Sequence, residues 1–193
     1  VKNLLIVNVL VFIAQKFYIR SETPLELYGA LWPLSSGNFK IWQLVTHMFM
    51  HDSQGFFHIL FNMLTLYMFG SQLEDVWGSK RFFNFYMICG IVAGLAQLLL
   101  GGDFGYAVGA SGAIMGLLAA FTYLFPNTPL YMMFIPIPIK AKFAIPALMA
   151  LDLFGGVAQV RGDNIAHWAH LGGAAAGFIL VLIWNKTNRN TFY

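Results

Sequence analysis

The sequence predicts an all-α fold: a polytopic membrane protein whose six transmembrane helices form one bundle, with a structured outer loop between helices one and two. Three observations lead there. Hydrophobic residues make up 59% of the chain and charged residues 10%, against about 25% charged in a water-soluble domain. Six apolar runs approach the roughly 20 residues that a helix needs to cross the hydrocarbon core. Glycine pairs at four-residue spacing, Gly90/Gly94, Gly112/Gly116 and Gly173/Gly177, fall in three of those runs and suit close helix contact in lipid.

The runs cover residues 3–17, 56–73, 82–100, 111–125, 142–160 and 165–184. The first is short and carries Asn8. With no repeat and no long linker, residues 1–193 read as a single membrane domain. The chain begins at Val1 with no small-residue cleavage site, which argues against a signal peptide and for an upstream piece having been trimmed. The connection over 18–55 holds Leu25, Leu31, Trp32, Phe39, Ile41 and Trp42. That is too apolar for a disordered loop, and it predicts an element lying in the membrane interface. In the connection 126–142, Pro126, Pro129, Pro136 and Pro138 exclude a continuous helix and predict an extended or turned stretch. Span five, with Pro146, Gly155 and Gly156, reads as loosely packed and able to move sideways.

The net charge of +3 does not mark a nucleic-acid binder, because of where the charges sit. With both termini cytoplasmic, Lys2, Lys80, Arg81, Lys140, Lys142, Lys186 and Arg189 lie inside, and Lys16, Arg20, Lys40 and Arg161 outside. Seven against four follows the positive-inside rule. Cys89 is the single cysteine, which excludes an intramolecular disulfide, and it reads as a small packing residue. His47 and His51 stand at i,i+4 without a Glu between them, so no metal site is expected. They and Thr46 are expected to hydrogen-bond within the outer loop and brace the following helix.

In this topology spans two, four and six start on the outer side, and His58, Ser111 and His170 lie near those starts. Asn62 is one turn below His58 on the same helix face. Polar groups inside a membrane are costly and mark function when they find partners. A serine hydroxyl needs a base to become nucleophilic, and neutral imidazole is suited to that task. The tetrahedral intermediate of acyl transfer needs donors already aimed at its oxyanion. The first turn of span four offers free N–H groups, that of Ser111 among them, and His58 and Asn62 offer side-chain donors. Gly109 and Gly112 permit a tight turn and close substrate approach.

These residues resemble the three motifs of the rhomboid intramembrane serine proteases, in order: His58-x-x-x-Asn62, Gly109-x-Ser111-Gly112, and Ala169-His170-x-x-Gly173-x-x-x-Gly177. The resemblance covers nearly the whole chain. It implies a Ser–His dyad without cofactor or metal, Ser111 being the nucleophile and His170 the general base and then acid. It also implies an oxyanion site from His58, Asn62 and the Ser111 N–H. The implied partners are the lipid bilayer and single-span transmembrane substrates, cut in or near their helix. The implied location is a multi-pass cell membrane, taken as a bacterial inner membrane, with the active site open to the outer side.

Two positions depart from the family pattern. Trp42-Gln43 stands where many relatives have Trp-Arg, so any structural bond of that arginine is lost or replaced. Met115 stands where relatives often place an aromatic against the catalytic imidazole, and its thioether offers softer support. His167 reads as a rim residue and Asp152 as a structural hydrogen-bond acceptor outside the dyad. Glu74, Asp75, Lys80 and Arg81 read as a solvated cluster. The alternative function is a non-catalytic relative that binds and escorts membrane proteins. Such members usually lack the nucleophile or the base. A transporter would want polar sites along a path across the membrane, whereas these cluster on one side.

Overall fold

A computed structural model of the chain describes residues 1–18, 25–53, 55–102, 105–132, 135–158 and 165–187. Among the expected features, Arg20, Arg161, Arg189 and the end of run five lie outside them. Six long helices occupy the six apolar runs: α1 (Lys2–Tyr18), α4 (Phe56–Trp77), α5 (Ser79–Leu100), α6 (Ser111–Leu124), α7 (Ala141–Ala158) and α8 (His167–Thr187). The 25–53 connection is folded. It holds α2 (Leu25–Gly29), α3 (Gln43–Thr46) and two 3-10 turns, Leu34–Ser36 and His47–Phe49.

Two expectations need correction. The fold is mostly helical but not all-α, since β1 (Pro129–Met132) and β2 (Ile135–Lys140) pair antiparallel with Pro129 opposite Lys140 and Leu130 opposite Ile139. Proline excludes helix there, and strand ends and edges tolerate it. Of six expected spans, only Ser79–Leu100 and His167–Lys186 are, among the described residues, long and apolar enough to cross a membrane on their own; Ser111–Leu124 is apolar but shorter. At 1.5 Å per residue, the 14 residues of α6 reach about 21 Å.

What α6 lacks in length it makes up in burial. Ala113, Leu117, Ala120 and Phe121 are buried, and helices α4, α5, α7 and α8 all pack against it. The surrounding helices turn apolar side chains outward: Leu10 on α1, Phe57 and Tyr67 on α4, Leu99 on α5, Phe154 on α7 and Ile179 on α8 are exposed. Polar Asn8, Gln15, Asn62 and Gln97 are buried instead. Contiguous apolar surface of this kind asks for a non-aqueous neighbour.

The glycine pairs set the helix distances. A Cβ at Gly173 would run into the Gly112 carbonyl oxygen, and one at Gly177 into that of Gly116. Helices α6 and α8 therefore touch backbone to backbone, as small-residue spacing allows. Cys89 fits the same pattern, its Sγ sitting 2.6 Å from where a Gly116 Cβ would be. The third pair behaves differently. Gly90 faces the Met48 side chain, and a Cβ on Gly94 would lie 3.0 Å from His47 Cε1. That pair admits the 25–53 connection, not a helix.

The loop is fastened by polar groups. Gln43 is fully buried. Its Oε1 accepts from the N–H groups of Trp32 (3.3 Å) and Lys40 (3.2 Å), and its Nε2 donates to the carbonyls of Tyr28 (3.4 Å) and Asn38 (3.1 Å). Where an arginine has only donors to offer, this amide serves both kinds of backbone partner. Gln43→Ala removes four part-buried hydrogen bonds to backbone, each contributing about 0.5–1.5 kcal/mol. A clear drop in midpoint is expected when thermal unfolding is followed in detergent. Gln15 of α1 spans the gap to the loop, donating to the His51 carbonyl (2.9 Å) and accepting from its N–H (3.0 Å).

Burial holds the His47 imidazole down at about 4 and that of His51 at about 3. Both stay neutral in the docked loop, while the undocked chain protonates them near the ordinary 6.5. Protons are then bound more strongly by the undocked form, so stability is full above that value and falls as pH drops towards 4. From pH 7 to pH 5 the loss is about 2 kcal/mol for each histidine. Unfolding midpoints measured across that range in detergent are expected to fall, and His47→Gln is expected to flatten the slope.

Candidate active site

Three long helices begin at one end of the molecule and bring their first turns together. At the opposite end Trp184 of α8 packs on Trp77 of α4, with ring centroids 5.6 Å apart, and under the Arg81 guanidinium. Thus α4 and α8 run the same way. Glu74 and Arg81 lie within helices at that end, both partly buried, whereas Asp75 and Lys80 are exposed. The expected solvated cluster holds for Asp75 and Lys80, while the Arg81 guanidinium lies over Trp184.

Ser111 is the first residue of α6, and its approach is fixed by backbone. Leu31 and Ala107 exchange two hydrogen bonds of 2.9 Å, and the Gly109 N–H donates to the His47 carbonyl at 2.9 Å. The 25–53 connection thereby holds the segment that leads into Ser111. Gly109 has φ of 132°, a conformation that side chains rarely adopt. A Cβ there would lie 3.0 Å from His58 Nε2 and 3.5 Å from Ser111 Oγ, so both groups border the same small space. Ala110 is the N-cap and has no side chain to close the helix end. The N–H groups of the first turn therefore remain available.

His170 lies in the first turn of α8, and its Nε2 is 2.7 Å from Ser111 Oγ. Gln97 of α5 accepts the Ala169 N–H at 3.2 Å and so fixes the start of the helix carrying that ring. Behind the imidazole, Asp152 Oδ1 of α7 is 3.1 Å from His170 Nδ1. A carboxylate oxygen accepts, so Nδ1 carries the hydrogen and Nε2 offers its lone pair to the serine hydroxyl.

His58 shows the opposite tautomer. The Asp52 N–H donates to His58 Nδ1 at 3.2 Å, which leaves the hydrogen on Nε2, the atom bordering the space beside Ser111. Asn62 is buried, and its amide donates to the His58 carbonyl at 3.0 Å, leaving its second N–H. Met115 is half-buried at the edge of the main core, one turn below Ser111.

Several expectations change here. Asp152 does accept hydrogen bonds, but from the ring that faces Ser111. His167 is not a rim residue: its Nδ1 lies 2.9 Å from the same Asp152 oxygen and its side chain is 10% exposed. Gly155 gives that ring room, a Cβ there falling 2.7 Å from His167 Cε1, so it serves close packing and not looseness. Thr46 and His47 are bonded as expected, to the Gly29 and Gln43 carbonyls. The His51 ring is not. It is buried, both nitrogens lack a hydrogen-bond partner among the described residues, and it stands edge-on to His58 at 5.2 Å. No metal-binding cluster of three or more His, Cys, Asp or Glu occurs among the described residues. Sequence reasoning passed over Gln97, although a lone amide in an apolar run was a signal for it.

Comparison with known proteins agrees with the motifs. The Rhomboid domain family profile matches residues 38–186. The chain is 34% identical over 134 residues to Rhomboid protein 1, mitochondrial, of Saccharomyces cerevisiae, covering 65% of this chain and 37% of the yeast protein. To RHOMBOID-like protein 1 of Arabidopsis thaliana it is 33% identical over 166 residues, 85% of this chain and 40% of the plant protein. To the Presenilin-associated rhomboid-like protein, mitochondrial, of Mus musculus it is 32% identical over 139 residues, 67% and 36% of the respective chains. The chain thus spans well under half the length of these relatives. Two of the names are mitochondrial and lend no support to a bacterial inner membrane. With its family profile matched over most of its length, the chain belongs to the rhomboid family of membrane proteins.

Proposed function

We propose that this protein is an intramembrane serine endopeptidase that cleaves transmembrane proteins in or near their membrane-spanning helix. The observation that carries this is the 2.7 Å contact between His170 Nε2 and Ser111 Oγ, set at the uncapped start of α6. As the serine oxygen forms its bond to the scissile carbonyl carbon, its proton passes to His170 Nε2. The carbonyl oxygen becomes an oxyanion, met by the Ser111 N–H, His58 Nε2–H and the second amide hydrogen of Asn62. Collapse breaks the C–N bond, and the imidazolium returns its proton to the departing amine. Water then attacks the acyl-enzyme with His170 again as base, and the serine is released.

The six helices together form the membrane domain in this reading, with both termini on the cytoplasmic side and the site facing outward. Substrates are single-span proteins delivered through the bilayer. Transient lateral movement of α7 would admit them, with Asp152 returning to His170 before chemistry, and a cross-link between α4 and α7 that left cleavage unchanged would exclude that route.

The test is cleavage of a single-span reporter by purified chain in proteoliposomes, beside Ser111→Ala and His170→Ala. Loss of cleavage in both variants, with folding preserved, supports the dyad. Cleavage surviving in Ser111→Ala overturns Ser111 as nucleophile. Stable capture of single-span proteins without cleavage, and without fluorophosphonate labelling of Ser111, would favour the escort function instead.

A further inference from the structure

Asp152 sits on α7, its side chain 11% exposed, against His170 at 13% and His167 at 10%. A carboxylate so enclosed among apolar helices is expensive unless N–H donors meet it. Two do, at 3.1 Å from His170 and 2.9 Å from His167, both to Oδ1. Its Oδ2 has no hydrogen-bond partner among the described residues. The donors stand three apart on α8, hence on one face, and the His167 ring fills the room left by Gly155. The carboxylate is thus held at a fixed height beside α8. On the far side of the His170 ring, Nε2 meets Ser111. An imidazole held at one nitrogen keeps both its rotation and its tautomer.

We propose that Asp152 is a positioning residue for this reaction: its carboxylate holds the Nδ1 hydrogen of His170 so that Nε2 faces Ser111, with His167 bracing the same oxygen. The proposal rests on the reading of Ser111 and His170 as nucleophile and base. The negative charge also faces the imidazolium that forms when His170 takes the serine proton, and it is not itself protonated in the cycle.

The test uses the full chain in proteoliposomes with a single-span reporter. Asp152→Asn keeps the shape and removes the charge. Its kcat is expected to fall about 10²- to 10⁴-fold with KM within about threefold, the pattern of a triad whose carboxylate is replaced by amide. Asp152→Glu is expected to recover at least tenfold of that loss. The pH profile of kcat/KM is expected to differ between Asp152→Asn and the unmodified chain. His58 and His167 lie close by, so the profile is read as a difference between variants. A kcat within threefold of the unmodified chain, with the pH profile unchanged, overturns the proposal and leaves a structural acceptor.

A second measurement needs no substrate. With ¹⁵N-labelled histidine, a far-downfield Nδ1 proton assigned to His170 by its loss in His170→Ala and its retention in His167→Ala is expected in the unmodified chain and in Ser111→Ala, and not in Asp152→Asn. Absence of an Asp152-dependent resonance belonging to His170 overturns the proposal. Reporter cleavage that survives Ser111→Ala overturns the assignment of the nucleophile instead, and the resonance still reports whether Asp152 holds the ring.

Discussion

Ser111→Ala and His170→Ala are each expected to lower reporter cleavage about 10⁴- to 10⁶-fold, and the double variant to be no worse than either alone. In the proposed mechanism nucleophile and base act as one unit, so removing either removes the same step. What remains comes from the oxyanion donors and from substrate binding. Stability is expected to change little in Ser111→Ala, within about 0.5 kcal/mol. The N-cap of α6 is Ala110, so the serine hydroxyl closes no helix end. Initial rates in proteoliposomes, fluorophosphonate labelling of Ser111 and thermal midpoints separate these effects. A double variant markedly slower than both single variants would mean that the two side chains act independently.

Gly173→Val is expected to be nearly as damaging to activity and far more damaging to the fold. A valine at this position meets the Gly112 carbonyl, which is backbone and cannot rotate away. Helices α6 and α8 must separate, and overpacking in a closed core costs about 1–3 kcal/mol or more. Ser111 and His170 sit on the two helices being forced apart, directly above the contact. A displacement of 1 Å costs about 10²-fold in a positioned reaction, and a separation larger than that breaks the 2.7 Å hydrogen bond. Gly172→Val is the control for local burial, because it strikes Ala96 and the α5 backbone and not α6. A large loss of cleavage with only a modest change in KM is expected for Gly173→Val, together with a lower unfolding midpoint.

The helices and the meeting of Ser111 with His170 were legible because their signals are local: apolar runs, and motifs at helix starts whose glycine spacing specifies close packing. What faces each motif was less legible. Gly90-x-x-x-Gly94 has the same spacing as the other pairs, yet it receives Met48 and His47, since spacing states that something comes close and not what. Asp152 was visible as a lone acid in span five. Its partner depended on the rotation of α7 relative to α8, which the periodicity of either helix leaves free. His167 was placed at the rim from its position one turn ahead of the base, but that is also the face turned to α7. The hairpin from Pro129 to Lys140 was readable only as the absence of helix, because strand pairing depends on register between two segments. Gln43 shows the reverse case. The missing arginine was plain, whereas its replacement by a single amide with four backbone partners required the loop to be seen folded.

The contact between Ser111 and His170 joins residues 59 apart in sequence, which has a consequence for biosynthesis. At translation rates of about 5–20 residues per second, the serine leaves the ribosome roughly 3–12 s before its base. Through that interval α8, Gln97's hold on it and the carboxylate–imidazole line are all missing. A nascent chain inserting helix by helix among other unfinished membrane proteins therefore carries an inert hydroxyl. In the proposed mechanism the hydrolytic chemistry can begin only once α8 has docked on α6, so the order of synthesis itself delays it.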